Sequence, residues 1–77
     1  MPVTIYTRRG CPLCDEGIAI ARSVFGDRIS LVDVDLDLDL LEQVDTRVPV
    51  IAAEDGTVID EGIIDPSVLR GYASQDR

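Results

Sequence analysis

Val3-Thr4-Ile5-Tyr6-Thr7-Arg8-Arg9-Gly10-Cys11-Pro12-Leu13-Cys14 is the stretch on which the fold turns. A β-branched and aromatic run, Val3 to Thr7, carries no charge and reads as a buried central strand. Arg8-Arg9-Gly10 is a basic turn. Pro12 suits the first turn of a helix, where its missing N–H leaves nothing unpaired. Cys11 and Cys14 are the only cysteines of the chain. At that spacing they meet across one helical turn, a geometry that suits a reversible disulfide.

Working outward, Leu13, Gly17, Ile20, Ala21 and Val24 recur at helical spacing, and Ile18 and Phe25 widen the apolar stripe. Gly26 is a good residue to end that helix. The spacing therefore predicts a helix over 12–25 and a second strand over 29–35, ISLVDVD. Apolar and acidic residues alternate from Val32 to Leu40, a period of two that allows a longer strand. Asp39-Leu40-Leu41-Glu42 resembles a capping box, and it predicts a short helix at 38–44. Thr46 to Ala53 is a turn entering a third strand. Glu54-Asp55-Gly56 is a hairpin turn into a fourth strand at 57–59, and Gly62 breaks that strand. Asp65 as cap and Pro66 at the first helical position open a last helix that ends near Ala73, before a frayed tail of 74–77. The order β-α-β-α-β-β-α predicts an α/β fold: a four-stranded mixed sheet with helices on both faces, its first two strands parallel.

The chain is a single domain of 77 residues with a modest core. Its hydrophobic content, 45 %, is too high for a disordered chain. A formal charge of −8, from 15 acidic and 7 basic residues, leaves no positive footprint for nucleic acid and disfavours an anionic membrane surface. No apolar run is long enough to span a membrane. Met1-Pro2-Val3-Thr4 has neither a basic nor an apolar leader segment, and with a Cys-x-x-Cys the expected compartment is the cytoplasm. The chain has no His, which removes any imidazole base or ligand. The alternating Asp33, Asp35, Asp37 and Asp39 do not make a calcium loop. The glycine and glutamate such a loop requires fall on Leu38 and Val44. A solvated face is the simpler account.

The thiolate is the reactive form of cysteine. Cys11 at a helix N-terminus, beside Arg8 and Arg9, is expected to have a lowered pKa, with Asp15 and Glu16 opposing. Cys14, one turn in, is expected to be more buried. Cys11 is then the attacking thiol and Cys14 the resolving thiol. Two Cys without His fall short of the four ligands of a structural zinc site. A merely structural disulfide closing so short a loop would contribute little. Val48-Pro49 reads either as a plain strand-start proline or, with a Cys-x-x-Cys upstream, as a cis-proline that sets the Val48 backbone beside the thiols.

These stretches, with Val32-Asp33-Val34-Asp35, Arg47-Val48-Pro49-Val50-Ile51 and Asp55-Gly56, resemble the glutaredoxin branch of the thioredoxin fold over nearly the whole chain. The likeness is greatest to a group of short glutaredoxin-like proteins in which Asp65-Pro66-x-x-Leu69-Arg70 opens the final helix. The resemblance implies a thiol–disulfide oxidoreductase with catalytic Cys11 and Cys14. It implies a substrate-binding surface of Arg8, Arg9, Pro12, Val48, Pro49 and Gly62. It implies a monomer with no bound cofactor or metal, glutathione or another small thiol serving as co-substrate. The partners implied are a disulfide-containing protein or small thiol as substrate, and thioredoxin reductase or a small thiol as electron donor. One departure stands out. Glutaredoxins that bind glutathione carry Gly-Gly-x-x-Asp after the last strand, whereas this chain has Glu61-Gly62-Ile63-Ile64-Asp65. The alternatives from other classes are a metal- or iron–sulfur-binding module using Cys11 at a dimer interface, and a catalytically retired fold that binds protein.

Overall fold

The computed structural model describes residues 2–36, 39 and 47–75. Strand β1, Val3–Thr7, is followed by helix α1, Pro12–Phe25, and strand β2, Ile29–Asp33. Strands β3, Val50–Ala52, and β4, Val58–Glu61, then lead to helix α2, Pro66–Gln75. The four strands form one mixed sheet in the order β2-β1-β3-β4. β1 runs parallel to β2, with Ile5 opposite Leu31, and antiparallel to β3, with Ile5 opposite Ile51. β3 and β4 form the hairpin, with a bulge at Ile51/Ala52.

The period-two alternation of the strands sorts the side chains onto two faces. Val3, Ile5 and Ile51 point to one face, where Ala21 and Phe25 of α1 and Leu69 of α2 close over them with Ile64. Each large apolar side chain withdrawn from water in this way contributes roughly 1.5–3 kcal/mol. Phe25 and Tyr72 meet edge to face, their ring centroids 6.3 Å apart, which fixes α1 against α2. Tyr6 and Val50 point to the other face with Val34 and Val48. The helix expected at 38–44 for that face lies, apart from Asp39, outside the described residues. No helix among the described residues is long and apolar enough to cross a membrane.

Three boundaries differ from the expectation. β2 ends at Asp33 rather than Asp35, and Val34–Leu36 forms a 3-10 turn. The reason is local: the Asp33 carboxylate accepts the Asp35 amide at 2.9 Å, and this side-chain turn replaces the ladder bond an extended strand would need. Val34 thereby swings into the core, fully buried. β4 runs to Glu61 rather than stopping at 59, because it pairs with β3 as far as Val50. α2 continues to Gln75 rather than Ala73.

The caps follow the sequence. The Gly26 amide donates to the Arg22 carbonyl at 2.8 Å. The Asp65 carboxylate accepts the Ser67 amide at 2.8 Å at the start of α2. In the hairpin, Gly56 N–H donates to the Ala53 carbonyl and Thr57 N–H to the Asp55 carboxylate, both at 2.9 Å. That amide is the chief reason the Asp55 carboxyl is held below its ordinary value.

Candidate active site

The two cysteines come together where β1 hands over to α1. Cys11 has extended backbone angles, φ −106° and ψ 103°, and serves as the N-cap of α1. Its Sγ accepts the Cys14 amide at 3.2 Å, and its carbonyl accepts the Asp15 amide at 3.2 Å. A sulfur in place of the usual cap oxygen therefore sits where helix amides and the helix dipole favour negative charge. Pro12 occupies the first turn and is exposed, so the helix start stays rigid without demanding a hydrogen bond there.

The two thiols differ in access. Cys11 is partly exposed and Cys14 is fully buried. Both are free thiols. Burial is the first cause that pushes the Cys14 thiol above its ordinary value, and the adjoining Cys11 adds to it. Hydrogen bonding to Thr7 and to the Arg8 backbone pulls the other way. This asymmetry predicts that iodoacetamide at neutral pH adds one group to the folded protein, at Cys11, and two in urea. Intact mass and peptide mapping check it; two fast adducts on the folded protein would contradict the assignment.

Arg8 and Arg9 each face a carboxylate: Arg8 Nε lies 3.1 Å from Asp35 Oδ1, and Arg9 Nε lies 3.7 Å from Asp33 Oδ2. Two of the alternating acids, Asp33 at the end of β2 and Asp35 just after it, thus tether the active-site turn to that side of the sheet. Each such exposed pair contributes at most about 1 kcal/mol.

Val48-Pro49 is a cis peptide. Tyr6 pairs with Val50, which carries Pro49 alongside Thr7 at the end of β1. Pro49 is buried, and Val48 is half-buried. Val48 forms no backbone hydrogen bond among the described residues. On its other side Pro49 lies against α1 one turn past Cys14. A Cβ placed on Gly17 would come within 2.9 Å of Pro49 Cγ and 3.0 Å of Ile64 Cγ1. Gly17 is therefore the residue that lets Pro49 approach the thiol helix. Gly62, with φ +72°, turns the chain after β4 so that its amide donates to the Pro49 carbonyl at 2.9 Å. The structure thus gathers Cys11, Cys14, Pro12, Val48, Pro49 and Gly62 around one corner of the sheet and ties the two arginines to its flank.

Two features were not legible as site residues. Gly17 passes as one more small residue of the apolar stripe, although an interior helical glycine on a core face is itself a sign of close backbone approach. Arg47 and Glu61 form an ion pair, Nη2 to Oε2 2.6 Å and Nε to Oε2 2.7 Å. Fourteen residues separate them, and no local periodicity signals such a pairing. Among the described residues, no group of three or more His, Cys, Asp or Glu is placed to hold a metal ion.

The model of the glutaredoxin-like domain (DUF836) matches residues 2–71. Among solved structures, the chain is similar to the target protein XcR50 from X. campestris, with 26 % identity and a TM-score of 0.83, covering 95 % of this chain and 96 % of that one. It is similar to protein Ne2328 from Nitrosomonas europaea, with 25 % identity and a TM-score of 0.77, covering 92 % and 88 %. A thioredoxin from Malassezia sympodialis shares the fold at 24 % identity and a TM-score of 0.63, covering 95 % and 71 %. No curated protein matches the chain.

Proposed function

Because the chain belongs to the glutaredoxin-like domain family, we propose that it is a thiol–disulfide oxidoreductase that cycles between a Cys11/Cys14 dithiol and an intramolecular disulfide. The observation that carries this reading is the Cys11 sulfur acting as N-cap acceptor of the Cys14 amide, with the second thiol buried behind it.

Cys11 loses its proton to solvent and its sulfur attacks one sulfur of a substrate disulfide. The substrate S–S bond breaks, one thiolate leaves, and a mixed disulfide forms at Cys11. Cys14 then loses its proton and attacks Cys11 Sγ. The second substrate thiolate leaves, and the Cys11–Cys14 bond closes. Two electrons have passed from the dithiol to the substrate. Val48 and Pro49 orient the substrate backbone, and two molecules of a small thiol, or thioredoxin reductase, return two electrons to the pair. A reducing compartment, the cytoplasm, suits this cycle.

The test is a redox titration in dithiothreitol buffers, following maleimide-reactive thiols by gel shift. A single reversible two-electron transition is expected, absent in Cys11→Ser and in Cys14→Ser. A wild-type protein that keeps two reactive thiols at every poise would overturn the reading.

A further inference from the structure

The surface around Pro49 carries a charge pattern that bears on which disulfides enter, given the exchange activity proposed above. Each arginine of the site is matched by a carboxylate: Arg8 by Asp35, Arg9 by Asp33 and Arg47 by Glu61. The remaining carboxylates of this corner have no arginine partner among the described residues. They are Asp15 in the first turn of α1 with Glu16 next to it, and Asp60 and Asp65 on either side of Gly62.

Several backbone donors here are committed. Asp60 accepts the Glu61 amide through Oδ1 and the Asp65 amide through Oδ2, both at 2.9 Å. Gly62 N–H is held by the Pro49 carbonyl, and Ser67 N–H by Asp65. The loop thus supplies its own anion to its own amides. Between them it presents Ile63, an apolar side chain that is 80 % exposed. A carboxylate arriving at this corner meets surplus negative charge.

We infer that Asp60 and the Arg47–Glu61 pair are specificity determinants, and that the site selects disulfides with cationic or neutral flanks over anionic ones. Glu61 immediately precedes the glycine that binds Pro49, and Arg47 immediately precedes Val48, so the pair brackets the strip on which a substrate lies. Arg47 cancels Glu61 locally, while Asp60 keeps the corner net negative.

The Cys14→Ser protein tests this with three symmetrical small disulfides: cystamine (cationic), 2-hydroxyethyl disulfide (neutral) and 3,3′-dithiodipropionate (anionic). In each case the Cys11 sulfur takes one half, and the other half leaves as its thiolate. The rate of adduct formation is read by intact mass and divided by the rate of the same disulfide with 2-mercaptoethanol, which removes intrinsic reactivity. The expected order is cationic, neutral, anionic, with at least about tenfold between the extremes at low salt. The spread should collapse near 1 M salt, where screening acts within about 3 Å. Glu61→Gln should narrow the spread and Arg47→Gln should widen it. An anionic disulfide that reacts as fast as the neutral one, or a spread indifferent to salt, would overturn the inference and leave the exchange activity standing. Failure of all three disulfides to react would overturn both.

Discussion

Cys11→Ser is expected to reduce disulfide exchange to the uncatalysed background, whereas Cys14→Ser is expected to retain the first half of the reaction and lose the second. The asymmetry follows from placement. The Cys11 sulfur is partly exposed at the mouth of α1 and already accepts a helix amide. A serine hydroxyl there would cap the helix well and fold well, yet it cannot cleave a disulfide. Cys14 is fully buried and attacks the Cys11 sulfur once that sulfur is bonded to the substrate half. Its raised pKa has burial as the first cause, and that cause persists when Cys11 is in a mixed disulfide. The thiol form therefore dominates at neutral pH, and the resolving step must wait for its ionisation. The sign is a rate that rises with pH, about tenfold per unit below the Cys14 pKa, because only the thiolate attacks. Release of the second thiol from a preformed mixed disulfide, followed across pH, measures it. A flat profile would place the slow step elsewhere.

The second large effect is expected at Gly17. In an exposed helix interior Gly→Ala stabilises by about 1 kcal/mol. At Gly17 the new methyl would sit 2.9 Å from Pro49 Cγ and 3.0 Å from Ile64 Cγ1. Neither atom is the free end of a flexible chain, so packed structure must move. Overpacking of this kind costs about 1–3 kcal/mol. Gly17→Ala should then lose a net of up to about 2 kcal/mol, and Tm should fall by up to roughly 15 °C. Because the displaced group is Pro49, exchange should also slow by about tenfold or more. Gly71→Ala in α2 is the internal control. A Cβ there meets nothing within 4 Å, and the same substitution should stabilise by about 0.5–1 kcal/mol. Thermal melts of both variants decide it. A Gly17→Ala protein as stable as Gly71→Ala would show that Pro49 does not rest on the helix as described.

What could be read without coordinates was whatever is encoded locally. The β-branched run of β1, Pro12 at the helix start, Gly26 at its end and Asp65 before α2 each act within a few residues, and the elements lie where those signals put them. The end of β2 departs from the pattern, although Val32-Asp33-Val34-Asp35 has strand periodicity. The Asp33 carboxylate captures the Asp35 amide instead and turns the chain. At the site, the thiol pair was legible from motif and spacing, and the cis Val48-Pro49 bond was one of two readings the residues allowed. The partners of the arginines were not, because charge composition does not say which carboxylate answers which guanidinium. Arg8 and Arg9 read as positive charge beside Cys11 in the sequence, and in the fold each is answered from the β2 side. Gly17 was visible only as a small residue, since the group it accommodates arrives from a strand more than thirty positions away.

The central claim is that Cys11 is the attacking thiol of a disulfide exchange. The most direct measurement is the intact mass of the Cys14→Ser protein after incubation with 2-hydroxyethyl disulfide. One mercaptoethanol adduct, mapped to Cys11 and absent from the Cys11→Ser/Cys14→Ser double variant, is the predicted result. A protein that stays unmodified while free cysteine in the same buffer reacts would contradict the account.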